Sequence, residues 1–379
     1  MKLPVPPTEK SFASPLHHPR VATVIGRWLG TAVAVCFLTG LYSHFLQDTP
    51  CWLPIPSRPA NLYRVTQGLH VLSGIVAVPL LLAKLWTVYP KLFAKFDPKA
   101  IRPAIERLSI LVLVSSMALE LFIGFVNTLQ WYPWPFPFRQ THYALAWIIV
   151  GALLVHLAVK LPLIRANWRR TPEPAPESLP AETTGLTRRG LFRTVAGAAT
   201  LVGIASVGQS APAFGPVAVL APRKPNVGPQ GLPVNRTAEA AGVTGIDADW
   251  RFTIVGPRQL SYTLEELRAL PQNRSDLPIA CVEGWSQGAR WEGVRMRDLL
   301  AAAGAAPSSR VRVVSMEKGG FYATSEVPEE FAADPLTLLA LRLNGAELAL
   351  DHGFPARIIA PNRPGVLQTK WVHSLEVMT

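Results

Sequence analysis

The chain is poor in cysteine and in charged residues. Of its 379 residues three are cysteines and 16% are charged, whereas 49% are hydrophobic. Three cysteines, Cys36, Cys51 and Cys281, exclude the disulfide framework that holds many small secreted domains together. The length is sufficient for two or three domains. The high hydrophobic fraction indicates that one of them lies in a membrane.

Acidic residues are also scarce, with 25 Asp and Glu against 37 Lys and Arg, and the formal net charge is +12. A basic chain can bind nucleic acid, but here the basic residues form no stripe with interleaved aromatic side chains. They gather instead at the ends of apolar segments, which is a signal of membrane topology. We therefore expect a lipid bilayer around part of the chain and no nucleic-acid partner.

Four apolar stretches are long enough to cross a bilayer, which takes about 20 residues. They cover residues 21–45, 67–89, 108–129 and 141–164. Lysines and arginines concentrate between the second and third stretches and after the fourth, whereas the other two connections carry only Arg58, Arg64 and Arg139. By the positive-inside rule, the N-terminus is cytoplasmic and the chain is a multi-pass protein of the bacterial cytoplasmic membrane.

A twin-arginine motif, Thr-Arg-Arg-Gly-Leu-Phe-Arg at 187–193, precedes an apolar run over 194–207. Such motifs are addresses for the machinery that exports folded proteins. Folded export indicates that a cofactor was inserted in the cytoplasm. The alternative is a positively flanked anchor that happens to contain two arginines. We expect a fifth anchor helix and an outer C-terminal domain. Cleavage at Ala211-Pro212-Ala213 is left open.

Four histidines lie in the apolar stretches, where ionisable residues are usually functional. His44, His70 and His142 are near the outer ends of the first, second and fourth stretches, and His156 follows His142 by 14 positions. That spacing is nearly four helical turns, roughly 21 Å, so both rings share one face. Such a pair suits axial ligands in two haem layers. For a single histidine, a hydrogen bond between helices is the alternative.

This half resembles the b-type cytochrome subunits of membrane formate dehydrogenases and hydrogenases, which are four-helix bundles. The resemblance implies haem b, with His70 and His142 on the outer haem and His156 on the inner one. The second inner ligand would be His17 or His18, although both precede the apolar run. His44 is an alternative outer ligand. The electron partner would be a membrane quinone or another donor or acceptor.

From about residue 216 the pattern changes to short strands and turns. Strand-like pieces at 251–255, 311–315, 356–360 and 371–378 alternate with turns rich in Gly, Pro and Asn, and short helices are expected at 264–269 and 296–303. This predicts an α+β domain. Cys281 stands at a strand end, where a thiolate could ligate a transition metal. The alternative is a buried apolar cysteine.

Motifs around Cys281 carry a second resemblance. They are Cys-Val-Glu-Gly-Trp-Ser at 281–286, Asn-Gly at 344–345, Asp-His-Gly-Phe-Pro-Ala-Arg at 351–357, residues 361–365 and Lys-Trp at 370–371. Together they resemble the molybdopterin domain shared by sulfite oxidases and the periplasmic methionine sulfoxide reductase catalytic subunit. The resemblance implies Mo-molybdopterin with Cys281 as the catalytic metal ligand. His352 and Arg357 would hold the pterin, and Lys370 the cofactor phosphate.

A pterin phosphate needs cationic and N–H donors. The cofactor-binding candidates are Asn235, Arg236, Ser286, Tyr322, Ser325, His352, Arg357, Gln368, Thr369 and Lys370. For Arg236 the alternative is a surface salt bridge. Sulfite oxidases have an Asn-Arg-Arg run after the metal cysteine and a tyrosine before the Asn-Gly pair. This chain has Gly284-Trp285-Ser286 and Leu341 there, so a small neutral oxo-substrate such as a sulfoxide or N-oxide is favoured over sulfite.

The sequence therefore predicts a multidomain protein. The parts are a cytoplasmic N-terminus (1–20), a four-helix transmembrane domain (21–164), a cytoplasmic linker (165–190), an anchor helix (191–214) and an exported molybdopterin-binding oxidoreductase domain (215–379). Electrons would pass through haem between the membrane and the exported metal. Two alternatives stay open: a haem-free membrane-tethered molybdoenzyme, and a molybdopterin-binding module without turnover.

Overall fold

A computed structural model describes residues 12, 14–50, 52–94, 101–168, 186–208, 212–320 and 322–378. Cys51, most of the expected linker and Ala211 of the possible cleavage site lie outside these residues.

Five long helices account for the apolar stretches. They are α1 Pro19–Gln47, α2 Leu62–Val88, α3 Ile101–Thr128, α4 Phe138–Ala166 and α5 Arg188–Val207. Each belongs to a helical segment long and apolar enough to cross a membrane, which agrees with the expected helical N-terminal region. The twin arginines, Arg188 and Arg189, are the first two residues of α5.

The chain divides into two compact units. The first combines Met1–Leu38 with Val71–Ser206, and the second combines Thr39–His70 with Val207–Thr379. In the first unit, α3 packs along α4. The buried centre of this unit is formed by aliphatic side chains and one methionine: Leu29, Ala32, Ala77, Leu80, Leu81, Met117 and Ile149.

The second unit is built on two five-stranded sheets and three short helices. Its strands are β1 Phe252–Val255, β2 Leu260–Tyr262, β3 Asn273–Ala280, β4 Ser286–Arg295, β5 Val311–Ser315, β6 Thr324–Val327, β7 Leu338–Leu343, β8 Ala346–Glu347, β9 Arg357–Ile359 and β10 Val372–Val377. Its helices are α6 Leu264–Ala269, α7 Met296–Ala302 and α8 Glu329–Ala333. The α+β prediction is confirmed for this part of the chain.

One sheet has the order β2-β1-β10-β5-β6, with β1 and β10 parallel and the other neighbours antiparallel. The other has the order β3-β4-β7-β8, and β9 pairs with β7. Gly293 sits at an irregularity between β4 and β7, where a Cβ would collide with the Leu339 carbonyl oxygen. Only glycine allows the two strands to approach this closely.

The segment Thr39–His70, which we call the helix-end segment, is built into the second unit. Its Leu46, Ile55 and Tyr63 belong to the same buried cluster as Phe252 and Val313 of the sheets. The sequence alone assigns these residues to the membrane helices and their connection. In the structure they complete the hydrophobic core of the α+β unit.

Asn362, 2% exposed, anchors this segment. Its side-chain oxygen accepts from the Tyr63 amide at 2.8 Å, and its side-chain nitrogen donates to the Tyr42 hydroxyl at 2.9 Å and the Pro56 carbonyl at 2.8 Å. Asn362 has φ of 50°, a left-handed conformation that asparagine tolerates better than most residues. Its position in a left-handed turn thus directs one buried amide towards three parts of the helix-end segment.

Candidate active site

The cysteine loop connects β3 to β4 and holds Cys281 at its first position. The strands are in register up to the pair Ala280 and Ser286. The Cys281 amide donates to the Trp285 carbonyl at 2.9 Å, and the Gly284 amide donates to the Cys281 carbonyl at 3.0 Å. Gly284 has φ of 93°, a conformation that favours glycine. The loop is therefore a tight turn whose geometry fixes the thiol at the strand end.

The surroundings of Cys281 disfavour a free thiolate. The residue is 1% exposed, and burial followed by the negative charge of Glu283 raises the pKa of its thiol. The Glu283 carboxylate is itself buried and accepts from Trp285 Nε1 at 2.9 Å. Without a metal, Cys281 is a protonated thiol, and a bound metal ion would displace that proton. Such a cysteine suits metal ligation better than free nucleophilic chemistry.

A second group of site residues forms a buried cationic cluster around β9 and the start of β10. Arg357 donates to the carbonyl oxygens of His352 and Gln368 at 3.0 and 3.1 Å. Lys370 Nζ donates to the carbonyl oxygens of Arg236 and Asp351 at 2.9 and 2.7 Å. The predicted pterin-binding residues His352, Arg357 and Lys370 are thus brought together.

Gly353 makes this packing possible. Its φ is 103°, and a Cβ there would lie 2.9 Å from the Lys370 Cβ and 3.2 Å from the Arg357 Cβ. Any other residue would be strained by its backbone conformation and would push the two cationic side chains apart. The glycine in the Asp-His-Gly motif is therefore required by the geometry of the cluster.

Among the described residues the cationic side chains of this cluster form no ion pair, and Asp351 and Glu317 only partly offset the charge of Lys370. Burial lowers the pKa of Arg357 to about 9, and that of Arg363, six residues further along the chain, to about 10. Burial, reinforced by the charge of Arg357, lowers the pKa of Lys370 to about 7 and that of His352 to about 4. In the described part of the chain, Arg357 forms no ion pair, and its Nε has no hydrogen-bond partner.

Buried cations without counter-charges are costly, and a bound anion would relieve the cost. Lys370 also lies close enough to Cys281 for their charges to interact. The pterin phosphate of a molybdenum cofactor is an anion of the required kind, and the thiol of Cys281 supplies a soft ligand near the same cluster. The residues present therefore fit Mo-molybdopterin.

The remaining cofactor candidates are distributed around this cluster. Ser325 and Thr369 share a buried hydroxyl–hydroxyl hydrogen bond of 2.6 Å. The Gln368 side-chain nitrogen donates to the Arg363 carbonyl at 3.2 Å, and its buried side-chain oxygen has no partner among the described residues. That oxygen could accept a hydrogen bond from a pterin N–H group.

Two candidates have other partners in the structure. Arg236 forms an ion pair with Glu317, as the salt-bridge alternative expected, although its backbone carbonyl contacts Lys370. The Tyr322 hydroxyl donates to Gln47 Oε1 at 3.4 Å. Asn235 is half-buried beside Arg236.

Sequence reasoning missed the contribution of the helix-end segment to the cysteine loop. Arg64 Nε donates to the Ser286 hydroxyl at 3.0 Å, and Gln67 Nε2 donates to the Val282 carbonyl at 2.6 Å. The Tyr63 phenol is buried and close enough to Cys281 for an electrostatic interaction. These residues precede the loop by more than 200 positions, and no local motif marks them.

The four haem candidates fall in different units. In the second unit, the His70 ring packs against α1 at Gly40, where a Cβ would lie 2.7 Å from the His70 Cε1, and His44 lies near the Phe45 ring. In the first unit, His142 Nδ1 lies 3.2 Å from the Glu120 carboxylate. Among the described residues, the buried Nδ1 of His156 has no hydrogen-bond partner.

The His142 ring thus lies beside a carboxylate, a neighbour that metal-binding histidines often have. Within the described ranges, no group of three or more His, Cys, Asp or Glu side chains could hold a metal ion. Cys281 would not require such a group, because a pterin supplies further ligands to its metal.

A family model described as an oxidoreductase molybdopterin binding domain matches residues 240–379. The C-terminal part of this chain is a molybdopterin-binding oxidoreductase domain. The matched range contains the cysteine loop, the cationic cluster and every strand of both sheets. The molybdopterin domain thus includes most of the predicted cofactor residues, whereas Asn235 and Arg236 lie just before the match.

Known relatives agree with this result. Rat mitochondrial sulfite oxidase is 31% identical over 176 residues, covering 38% of this chain and 32% of the relative. The uncharacterized oxidoreductase YuiH of Bacillus subtilis is 31% identical, covering 34% of this chain and 64% of YuiH. A putative protein-methionine-sulfoxide reductase subunit, YedZ1 of Azospira oryzae, is 33% identical over 117 residues, covering 31% of this chain and 44% of the relative.

The chain therefore spans about a third of the length of rat sulfite oxidase and less than two thirds of YuiH. Among solved structures, the sulfane dehydrogenase SoxCD from Paracoccus pantotrophus matches with a TM-score of 0.32 and 24% identity, covering 35% of this chain and 39% of that one.

Proposed function

We propose that this protein is a membrane-bound molybdenum-cofactor oxidoreductase that transfers an oxygen atom to or from a small substrate, with sulfoxide or N-oxide reduction favoured over sulfite oxidation. Electrons would pass between a membrane quinone or other donor and the molybdopterin domain by way of haem b. The domain would lie on the outer side of the bacterial cytoplasmic membrane. When bound, molybdenum would supply the oxygen-atom chemistry.

The observation that carries the proposal is the pairing of a buried thiol with a cluster of buried cations that form no ion pair among the described residues. Cys281 would ligate the metal, and Arg357 and Lys370 would neutralise the cofactor phosphate. His352 donates its Nε2 proton to the Pro229 carbonyl at 2.8 Å. Because burial and the charge of Arg357 keep its pKa near 4, the ring is neutral at physiological pH, and His352 would hold the pterin as a neutral group.

The preference for a neutral substrate rests on two features of the molybdopterin domain. The loop after Cys281 carries the buried carboxylate of Glu283 and, at Gly284-Trp285-Ser286, no cationic side chain that could bind an anion such as sulfite. At the position of the sulfite oxidase tyrosine, Leu341 is 4% exposed and packs in the core. Neither residue supplies a charge or hydroxyl suited to an anionic oxo-substrate.

The haem part of the proposal is supported by the membrane helices. His142 lies beside the Glu120 carboxylate, and His156 presents a buried ring nitrogen that lacks a partner among the described residues. An unpartnered buried nitrogen in a bilayer is costly unless a ligand or a metal satisfies it. His44 and His70 remain the further candidates predicted from the sequence.

Metal analysis and turnover of the purified full chain would test the molybdenum site. We expect about one molybdenum per protein, and reduction of dimethyl sulfoxide or trimethylamine N-oxide with dithionite-reduced viologen. Cys281→Ser should lose turnover and change the molybdenum spectrum, whereas Cys36→Ser, in the first unit, should change neither. A Cys281→Ser protein with an unchanged spectrum would remove the ligand assignment. Faster sulfite oxidation than reduction of either oxo-substrate would reverse the substrate preference.

Optical spectroscopy tests the haem proposal separately. A reduced-minus-oxidised spectrum of the wild-type protein should show b-type haem bands, and His142→Leu and His156→Leu should each weaken them. Ser115→Leu, at an exposed position of α3, serves as the control. Absence of haem bands in the wild-type protein would leave a haem-free tethered molybdoenzyme.

A further inference from the structure

The first turns of α2 present a buried polar group beside the cysteine loop. Gln67 is 4% exposed, and its Nε2 donates to the Val282 carbonyl at 2.6 Å. A carbonyl oxygen can only accept, so the amide nitrogen of Gln67 must face it. The orientation of the side-chain amide is thereby determined, and its oxygen faces another direction.

That oxygen lacks a hydrogen bond. In the part of the chain that the structure describes, the buried Oε1 of Gln67 has no donor. Buried polar atoms in native proteins are almost always satisfied, and an orphaned acceptor needs a specific explanation. Its location beside the cysteine loop supports one explanation, in which a bound molecule supplies the hydrogen-bond donor.

The location is the rim of the proposed metal site. Val282, the partner of Gln67, directly follows Cys281, and Arg64 contacts Ser286 at the other end of the loop. Tyr63, one turn before Gln67, is buried near Cys281. This face of α2 is thus packed against the loop that carries Cys281.

We propose that Gln67 is a specificity-determining residue that accepts a hydrogen bond from an N–H or O–H group of the substrate. The inference rests on the proposed oxygen-atom chemistry and extends it to a substrate class. Substrates would carry a donor close to the oxo group, whereas dimethyl sulfoxide and trimethylamine N-oxide carry none. A substrate without a donor leaves the amide oxygen of Gln67 unpaired, so these two compounds would be turned over more slowly than a sulfoxide that carries a donor.

The test compares 2-(methylsulfinyl)ethanol with methyl propyl sulfoxide, which has a methyl group in place of the hydroxyl. We expect wild-type kcat/KM to favour the hydroxyl compound by about 10-fold, the usual value of one hydrogen bond. Gln67→Met should bring that ratio close to one. The matched control is Gln47→Met in the same segment, where the amide oxygen already accepts from Tyr322, and the ratio should persist.

Two results would overturn the inference: a wild-type ratio near one, or a Gln67→Met protein that loses activity on both sulfoxides while keeping the ratio. The second result would show that Gln67 only positions the cysteine loop.

Binding of the matching sulfones separates this inference from the proposed function. Calorimetry with the molybdenum-loaded wild-type chain should show about 10-fold tighter binding of 2-(methylsulfonyl)ethanol than of methyl propyl sulfone. Gln67→Met should remove that difference. If neither sulfoxide is turned over but the sulfone difference is present, the proposed reaction fails and the role of Gln67 stands. Equal affinities for the wild type, or no binding of either sulfone, would refute that role.

Discussion

The buried lysine of the cationic cluster should make the cofactor-free protein more stable as pH rises. Burial lowers the pKa of Lys370 from an ordinary 10.5 to about 7. Between these values the unfolded chain binds a proton that the folded chain does not, so the free energy of unfolding increases with pH. From pH 7 to pH 8.5 the gain is about 1.6 kcal/mol, taking about 1.36 kcal/mol per pKa unit.

For a unit of this size, that gain corresponds to a rise in Tm of roughly 3–6 °C. The interval stops at pH 8.5 because the lowered pKa values of Arg357 and Arg363, about 9 and 10, add to the slope at higher pH. In the cofactor-loaded protein the phosphate should raise the pKa of Lys370 again and flatten the slope. The difference in the pH dependence of Tm between the cofactor-free and the cofactor-loaded protein therefore measures the interaction of Lys370 with the bound anion.

The assay is thermal unfolding followed by tryptophan fluorescence, with cofactor-free protein from a host that cannot make molybdopterin. Lys370→Met should abolish the rise, whereas Lys318→Met, at an exposed lysine of the same domain, should retain it. An unchanged Tm between pH 7 and pH 8.5 in the wild type would refute the reasoning. If Tm rises equally with pH in Lys370→Met and in the wild type, a group other than Lys370 causes the rise.

Three further predictions concern the same unit. Arg357→Met should weaken cofactor retention about 10- to 100-fold, because a charge-assisted hydrogen bond contributes about 1.5–3 kcal/mol, and molybdenum content after dilution measures this. Asn362→Gly should lower stability by about 2–4 kcal/mol through the partners it leaves unsatisfied. Asn362→Ala should cost about 1 kcal/mol more because φ is 50°, and equal Tm values for the two variants would contradict that strain. Gly353→Ala should displace Lys370, so the pH dependence of Tm should weaken relative to wild type.

The helices were predictable because about 20 apolar residues in a row have few alternatives. α3 and α4 begin a few residues before their apolar stretches, and α2 begins at Leu62, not at residue 67. Polar residues such as Arg64 fall in its first turn and contact the cysteine loop. Hydropathy cannot show that a helix continues into a polar contact with a distant part of the chain.

In the molybdopterin domain, the sequence predicts the short strands that are rich in β-branched residues. It does not predict the strands that are polar or uniformly apolar. The expected strand at 311–315 coincides with β5, and the helix expected at 264–269 coincides with α6. β4 was missed because its exposed residues and two glycines obscure the alternation. β7 was missed because a short continuous apolar run does not distinguish strand from helix.

The residues of the candidate site also divide into those that local motifs predict and those that they do not. Cys281, His352, Arg357 and Lys370 lie in recognisable motifs, and the structure places the last three in one cluster. Gln67 lies in no motif, because its contact with Val282 joins residues 215 positions apart. Such a contact depends on the folded chain and cannot be deduced from local composition or spacing.

The helix-end segment also bears on how the protein is assembled. A molybdopterin domain that crosses the membrane already folded would do so without Leu46, Ile55 and Tyr63, which belong to its core. The transported form would therefore carry an open apolar cleft, and the ends of α1 and α2 would fill it only after arrival. Assembly would resemble the association of two complementary fragments, and the buried amide of Asn362 would hydrogen-bond one fragment to the other.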